Sequence, residues 1–310
     1  MTNTNKPLSI GLLGTGAIGS VMALHWASQH LFGLPRQRGQ KTCVRIKTLA
    51  GDRQVLNIPP WQGQTLDWLV VTTKAADTLS ALQSWQDYLP AVKRIMLLQN
   101  GMGQQQNCAD WLATAGLPCE LWAAVSTHGA YRTEEDHTPL VVHAGNGSTK
   151  AGLWPGDSPP ADQTGSAEIP PELPPGITGL TDILRPMRIK LAINAVINPL
   201  TAVLQCPNGE LVSDPRYLPQ LQALAQEIDH FYHQLNWYLP EPLAQTAAMV
   251  AQTTAANRSS TYQDILAGRP TELPWISGYL LHQARQQGTE LPLTADLYHQ
   301  TGESGAAHTP

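Results

Sequence analysis

The chain has 310 residues, of which only 14% are charged, and its formal net charge is -5. A chain of this length can form two domains with their own cores, and so few basic residues argue against a nucleic-acid-binding face. No apolar run looks long enough to span a bilayer, and no secretion signal is expected. The four cysteines lack C-x-x-C spacing, which favours a cytoplasmic protein with reduced thiols and no metal site.

The first predicted elements are a strand, a glycine-rich turn and a helix. Residues 8–13 are apolar, the turn reads Gly14-Thr-Gly-Ala-Ile-Gly19, and an apolar-periodic helix is expected from residue 20 to about residue 29. Strand, G-x-G-x-x-G and helix in this order form the dinucleotide-binding fingerprint, which places a pyrophosphate at the helix N-terminus. The residues expected to bind the cofactor here are Gly14, Gly16, Ala17, Ile18 and Gly19.

The charges after this motif indicate which cofactor binds. NAD sites usually have an acidic residue about 20 positions past the glycines, whereas an arginine there accommodates the 2′-phosphate of NADP. This chain has no acidic residue before Asp52, but Arg36 and Arg38 stand near the end of the second predicted strand. The pattern predicts NADPH, with the choice between the two arginines open.

Further along, apolar strands alternate with helical segments, which predicts a Rossmann-type α/β domain over residues 1–154. Residues 42–48 and 54–58 are expected to form a hairpin-like pair of strands. Further strands are expected at residues 68–72, 94–98, 121–126, 138–143 and 151–154, with those at 121–126 and 138–143 continuing the sheet, and a helix is expected at 76–88. Lys74 and Asn100 follow two of these strands, at the ends where such sheets bind ligands. Seven prolines mark residues 155–182 as a linker or surface excursion, and residues 183–310 read as a mostly helical second domain.

The segment 190–201 begins the second domain with an unusual helix. Lys190, Asn194 and Asn198 recur every four residues and therefore share one face, while apolar residues cover the rest. A buried ammonium and two buried amides need polar partners. Those partners are either neighbouring loops or a polar ligand, and the ligand is the favoured interpretation.

These motifs together resemble the ketopantoate reductase (2-dehydropantoate 2-reductase) family, whose members use NADPH in pantothenate and coenzyme A synthesis. The matching stretches are residues 14–19, 73–75, 99–103, 190–201, 207–211, 257–264 and 269–272, in family order. The blocks 190–201 and 257–272 are the more specific ones.

The resemblance implies a role for each matching residue. Lys190 would protonate the carbonyl oxygen of the substrate, and Glu272 would position that lysine and the new hydroxyl group. Arg36 would be the phosphate-binding arginine. The residues that would bind the substrate are Asn100, Asn194, Asn198 and Ser260, and those near the nicotinamide are Lys74 and Asn100.

Two departures from the family pattern concern the substrate more than the reaction. Pro186 is expected to be the earliest start of the lysine helix, and Thr261-Tyr262 replaces the usual Met-Leu. The leading interpretation is an NADPH-dependent reductase of ketopantoate, acting as a monomer or homodimer on a small 2-oxo acid. The alternatives are a related reductase of another 2-oxo acid and a non-catalytic NADP-binding sensor.

Overall fold

The computed structural model describes residues 6–156 and 172–302. These residues form two compact units, and each is described by itself. The first unit comprises the chain up to Gln99 together with Gln104–Ile183, and the second comprises Asn100–Gly103 together with the chain from Leu184 onward. The second unit therefore contains four residues that lie in sequence inside the first.

The first unit contains two sheets and three α-helices. Its strands are β1 (Ser9–Leu13), β2 (His30–Gly33), β3 (Thr42–Lys47), β4 (Arg53–Ile58), β5 (Trp68–Val71), β6 (Arg94–Leu97), β7 (Glu120–Ser126), β8 (Gly129–Glu135), β9 (Thr138–Gly145), β10 (Thr149–Leu153) and β11 (Ile177–Gly179). Its helices are α1 (Ala17–His25), α2 (Thr78–Gln83) and α3 (Gln104–Thr114).

The larger sheet has the strand order β11-β10-β7-β6-β5-β1-β2. Strands β7, β6, β5, β1 and β2 are parallel neighbours, and β10 is antiparallel to β7. The central strand β5 is buried at every position, as expected for a parallel sheet covered on both faces. Because parallel strands share one carboxyl edge, the turns after β1 and β5 meet there. The sheet confirms the predicted Rossmann-type α/β fold.

The smaller sheet has the order β4-β3-β9-β8. The expected hairpin of β3 and β4 is present, with Lys47 opposite Arg53. The expectation that residues 138–143 continue the main sheet is wrong, because β9 pairs with β3 and β8 instead. Strand periodicity shows that a segment is extended and half-buried, but it does not show which strand will pair with it.

The predicted helix 76–88 is also broken up. A 3₁₀ turn, Ala75–Asp77, precedes α2, and a second one, Gln86–Ala91, follows it. Pro90 lies in that second turn, and it can neither donate a hydrogen bond nor continue an α-helix. Helix α3 and strand β8 were not anticipated from the sequence.

The segment predicted as a Pro-rich linker, 155–182, falls partly outside the described residues, at 157–171. The part that follows packs on the first unit. The indole N–H of Trp68 donates to the Glu172 carbonyl at 3.2 Å, and that of Trp26 donates to the Pro175 carbonyl at 2.9 Å. Strand β11 then pairs with β10, so this return segment adds an edge to the main sheet.

The second unit is helical, as predicted. Its helices are α4 (Leu184–Leu204), α5 (Glu210–Ser213), α6 (Leu218–Gln234), α7 (Leu243–Thr253), α8 (Ser260–Leu266), α9 (Ser277–Gln286) and α10 (Pro292–Gln300). Helix α4 contacts α6, α7, α8 and α10, and is therefore the core helix of the unit.

Helix α4 differs from the expectation in one respect. It begins at Leu184 rather than at Pro186, because a proline anywhere in the first turn lacks only an N–H that has no intrahelical partner. By length and composition alone α4 could cross a membrane, but 61% of its most apolar window is buried inside the protein. That burial is typical of the core helix of a soluble protein.

Candidate active site

The turn between β1 and α1, residues 14–19, is called the glycine turn below, and its backbone leaves no room for side chains. Gly14 has φ +100°, and a Cβ there would lie 2.7 Å from the Thr73 backbone nitrogen. A Cβ on Gly19 would collide with the Gly14 carbonyl oxygen. The Thr72 hydroxyl also donates to that oxygen. The first and third glycines are therefore required by the close approach of β1, α1 and the end of β5.

Gly16 begins helix α1 and leaves the helix N-terminus available to a ligand. Its backbone is extended, no side chain caps the helix, and the first turn contains no acidic residue. The leading N–H groups of a helix carry partial positive charge and lack intrahelical partners. This N-terminus, formed by Gly16, Ala17 and Ile18, fits the pyrophosphate of a nicotinamide dinucleotide.

The two candidate arginines after β2 have different environments. The Arg38 guanidinium donates to the Ser84 carbonyl at 2.7 Å and lies over the rings of Trp85 and Tyr88, 5.3 and 4.8 Å from their centroids. Arg36 is exposed three residues after β2, and its guanidinium has no hydrogen bond or ion pair within the described parts of the chain. Of the two, Arg36 is the one whose charge remains available to a phosphate.

Lys74 lies at the same carboxyl edge as the glycine turn. It follows β5 by three residues and directly follows Thr73, whose backbone nitrogen lies against Gly14. Its carbonyl accepts hydrogen bonds from the Asp77 N–H at 3.0 Å and the Thr78 hydroxyl at 3.0 Å. These contacts fix the backbone of Lys74 beside the glycine turn.

In the second unit, Lys190, Asn194 and Asn198 form one face of α4, called the polar stripe below. Lys190 and Asn194 are partly buried, and Asn198 is only 5% exposed. Neither asparagine amide makes a hydrogen bond with any described residue. Successive members are about 6 Å apart along the axis, since an α-helix rises 1.5 Å per residue. The stripe thus presents two amides without a partner among the described residues, in line with a lysine.

Asn100 joins Lys190 to Glu272. The Lys190 ammonium donates to Asn100 Oδ1 at 2.7 Å, and Asn100 Nδ2 donates to Glu272 Oε2 at 3.0 Å. The sequence separations are 90 and 172 residues, so only the fold brings these groups together. Because the amide oxygen faces a cation and the amide nitrogen faces a carboxylate, its orientation is fixed by charge.

The environment of Lys190 changes its acidity. Burial lowers the pKa of the ammonium from an ordinary 10.5 to about 8, and the attraction of the Glu272 carboxylate opposes that shift. A lysine with this pKa is still mainly protonated at neutral pH but releases its proton more readily than an exposed one. Such a group can act as a general acid.

Two adjacent serines at the start of α8 have different environments. Ser259 is buried, caps α8 by accepting from the Tyr262 N–H at 3.1 Å, and accepts from the Thr201 hydroxyl at 2.7 Å. Ser260 is exposed as the first residue of α8. Ser259 therefore holds α8 against α4 at Thr201, three residues after Asn198. Ser260 is the serine that remains accessible to a ligand.

The comparisons with known proteins agree on one family. Residues 10–156 match the family model described as Ketopantoate reductase PanE/ApbA, and residues 182–303 match its C-terminal counterpart. A 2-dehydropantoate 2-reductase of Vibrio cholerae is 32% identical over 94% of this chain and 96% of its own length. The chain belongs to the ketopantoate reductase family.

Solved structures share the fold of this ketopantoate reductase family member. A probable 2-dehydropantoate 2-reductase of Bacillus subtilis is 30% identical, with a TM-score of 0.71, over 94% of this chain and 98% of its own. A D-mandelate dehydrogenase solved with NADH and anilino(oxo)acetate has a TM-score of 0.74 over 94% of this chain and 96% of its own, at 18% identity. That second likeness shows the fold alone.

Sequence reasoning missed some residues that shape the site. Thr72 supports the glycine turn from the neighbouring strand, and Trp275 contacts the loop that carries Asn100. The residue after a buried parallel strand is a signal that could have found Thr72. No sequence signal marks Trp275, because its contact is made by a backbone carbonyl.

Proposed function

We propose that this protein is an NADPH-dependent oxidoreductase that reduces 2-dehydropantoate (ketopantoate) to pantoate, a step of pantothenate and coenzyme A biosynthesis. The observation that carries the proposal is the bridge from Lys190 through Asn100 to Glu272, in a chain of the ketopantoate reductase family. A partly buried ammonium of lowered pKa, held by an oriented amide, is suited to a carbonyl oxygen that gains negative charge.

The chemistry divides between cofactor and protein. When bound, the reduced nicotinamide supplies the hydride. Lys190 binds the substrate's carbonyl oxygen and donates the proton that completes the new hydroxyl group. Its positive charge also stabilises the oxygen while that oxygen is partly anionic. Glu272 attracts the lysine and accepts a hydrogen bond from the product hydroxyl. Asn100 holds the Lys190 ammonium and the Glu272 carboxylate in fixed positions relative to each other.

The rest of the polar stripe binds the parts of the substrate that do not react. Asn194 and Asn198 offer amide N–H donors to the substrate carboxylate, and Ser260 offers a hydroxyl to its distal hydroxyl group. The two amides support this role, since neither makes a hydrogen bond with a described residue and both can therefore offer donors to a ligand. These three residues act on groups present in both ground and transition states, so they set KM more than kcat.

NADPH is the proposed cofactor because of Arg36. A guanidinium recognises a phosphate through charge-assisted hydrogen bonds, and Arg38 is engaged elsewhere. Gly14, Gly16, Ala17, Ile18 and Gly19 are proposed to hold the pyrophosphate. Lys74 and Asn100 are proposed to lie near the nicotinamide.

The proposed setting is the cytoplasm, where the protein works on a small 2-oxo acid as a monomer or homodimer, with no nucleic acid or membrane partner. The low content of basic residues and the absence of paired cysteine motifs in the sequence support this setting. Sedimentation of the purified protein would distinguish monomer from dimer.

The decisive experiment is NADPH oxidation by the purified protein with a panel of 2-oxo acids, repeated with NADH. We expect ketopantoate to give the highest kcat/KM, and NADPH to be preferred over NADH. Preference for another 2-oxo acid would support the second candidate, a related reductase, which is favoured by Thr261-Tyr262 in place of Met-Leu. If the protein binds NADPH but oxidises it with none of the acids, the remaining interpretation is a non-catalytic NADP-binding sensor.

A further inference from the structure

The loop that carries Asn100 is attached to the helical unit by its backbone. Two residues after Asn100, the N–H of Met102 donates to the carbonyl of Trp275 at 2.9 Å. Met102 is fully buried. A main-chain hydrogen bond that is shielded from water in this way fixes the position of the loop relative to the backbone of Trp275.

Gly101 allows this close approach. Its φ is +81°, and a Cβ at this position would lie 2.7 Å from the Trp275 carbonyl carbon and 2.8 Å from its Cβ, with the carbonyl oxygen nearer still. Backbone atoms cannot move aside as a flexible side chain can. Any residue other than glycine must therefore push the loop away from Trp275.

The other side of this contact carries Glu272. Trp275 ends a short 3₁₀ helix, Leu273–Trp275, and its N–H donates to the Glu272 carbonyl at 3.0 Å. The same 3₁₀ helix packs against α4, which carries Lys190. One backbone turn thus links Trp275, whose carbonyl accepts from Met102, to Glu272, whose carboxylate accepts from the Asn100 amide.

We infer that Gly101 and Met102 form, with Trp275, a main-chain clip that positions the Asn100 amide between Lys190 and Glu272. The clip is defined by the missing side chain of Gly101 and by the hydrogen bond from Met102 to Trp275. Its role rests on the proposed function, because it matters for turnover only if Lys190 and Glu272 act on substrate. Gly101 is a positioning residue and touches none of the reacting groups.

The consequence of opening the clip follows from the two hydrogen bonds of Asn100. An acceptor that faces an ammonium favours its charged form, and burial disfavours that form, so displacing Asn100 changes both influences on the pKa of Lys190. Glu272 loses the donor that orients it. A misplacement of about 1 Å in a catalytic group can reduce turnover by 10²-fold.

The test compares Gly101→Ala with Gly268→Ala. Both glycines belong to the second unit and have positive φ, +81° and +61°, but a Cβ on Gly268 would meet nothing within 4 Å. Both variants therefore carry backbone strain, and only Gly101→Ala also opens the clip. We expect kcat to fall roughly 10- to 100-fold in Gly101→Ala and less than about 3-fold in Gly268→Ala.

A second readout needs neither cofactor nor turnover. Lysine labelled with carbon-13 gives one Hε–Cε signal for each of seven lysines, and Lys190→Met identifies that of Lys190. We expect its titration midpoint to differ in Gly101→Ala from the midpoint that the parent protein and Gly268→Ala share. Equal midpoints and equal kcat in the two variants would overturn the clip. By contrast, failure of the parent protein to reduce ketopantoate would contradict the proposed function alone.

Hydrogen exchange keeps the inference testable if Gly101→Ala does not fold. In the parent protein the Met102 amide is expected to exchange as slowly as the amides in the middle of α4. Exchange of the Met102 amide at the rate of an exposed loop would show that no clip forms.

Discussion

The glycine turn of the first unit and the polar stripe of the second are built from different parts of the chain. The glycine turn uses backbone N–H groups within six consecutive residues, and its glycines matter because they have no side chain. The stripe uses side chains, and its lysine is linked by hydrogen bonds to Asn100, and through Asn100 to Glu272, from distant segments of the chain. A backbone site is therefore a local motif, whereas a side-chain site is assembled by the fold.

Because one region uses its backbone and the other its side chains, substitutions in the two regions should have different effects. Changes in the glycine turn should weaken cofactor binding through backbone displacement, whatever the new side chain is. Changes in the stripe should alter chemistry or substrate binding according to the group removed, while cofactor affinity stays nearly constant.

The largest expected effect is that of Lys190→Ala. Loss of a positioned proton donor lowers kcat by about 10²–10⁴-fold, and loss of charge stabilisation at the oxygen adds to this. Steady-state ketopantoate reduction and fluorescence titration with NADPH on one preparation would measure both kcat and cofactor affinity. We expect the NADPH dissociation constant to change by less than about 3-fold, below 1 kcal/mol.

The matched control is Lys150→Ala, an exposed lysine on β10 of the first unit. It should keep the turnover of the parent protein. If a folded Lys190→Ala protein also turned over at nearly the parent rate, Lys190 would be a structural lysine and the proposed chemistry would be wrong.

Much of this contrast could be predicted from the sequence. The glycine spacing predicts a cofactor-binding turn, and the four-residue period of Lys190, Asn194 and Asn198 predicts a ligand-binding face on a helix. The link from Asn100 to both Lys190 and Glu272 could not be derived from spacing, because it depends on where a loop after β6 meets a 3₁₀ helix 172 residues later. Only resemblance to a family suggested that these residues act together.

The errors in the fold have a related physical cause. Strand β9 has the half-buried pattern of a strand in either sheet, and only its pairing with β3 decides between them. The break of the predicted helix 76–88 into α2 and two 3₁₀ turns depends on packing as well as on Pro90. Local patterns predict the type of an element, and long-range pairing decides where it lies.

The next largest effect tests the backbone character of the glycine turn. Gly14→Ala should weaken NADPH binding roughly 100-fold, because an alanine is strained at φ +100° by about 1–2 kcal/mol and its Cβ would also clash with the backbone of residues 72–73. Fluorescence titration with NADPH measures this loss.

Gly39→Ala is the control for strain alone, since Gly39 has φ +83° and open space around a Cβ. We expect it to bind NADPH as the parent protein does. Equal affinities of the Gly14→Ala and Gly39→Ala proteins would mean that the glycine turn does not hold the pyrophosphate.

A smaller effect concerns the one side chain on which cofactor choice is expected to depend. Arg36→Ala should weaken NADPH binding about tenfold, as expected for loss of roughly 1.4 kcal/mol of charge-assisted hydrogen bonding, and should leave NADH binding unchanged. Arg38→Ala should keep the preference for NADPH, because Arg38 is bound to Ser84 and packed on Tyr88. The reverse result would transfer the phosphate contact to Arg38.

The smallest expected effect is on stability, and it separates the stripe's function from its contribution to folding. The pKa of Lys190 is about 8 in the folded protein against an ordinary 10.5, so the charged lysine is disfavoured by the fold even with Glu272 nearby. Lys190→Met keeps the length of the side chain and removes the charge. Removing the ammonium relieves this cost but leaves the Glu272 carboxylate without its cation, so we expect the Tm at pH 7 to change by no more than a few degrees, at roughly 2–4 °C for each kcal/mol, while turnover is abolished.

The pH dependence of the difference in Tm between Lys190→Met and the parent follows from proton linkage. Below pH 8 the lysine is charged in both states, and the unfavourable burial of its charge is fully present. Between pH 8 and 10.5 the folded state releases the proton and the unfolded state keeps it, so the unfolded state binds more protons and the parent protein gains stability. The Tm of Lys190→Met should therefore fall relative to that of the parent across this range, with other titrating groups cancelling. A difference in Tm that stays constant from pH 7 to pH 10 would show that the fold does not disfavour the charged lysine. Lys190 would then lack the lowered pKa on which its proposed role as a general acid rests.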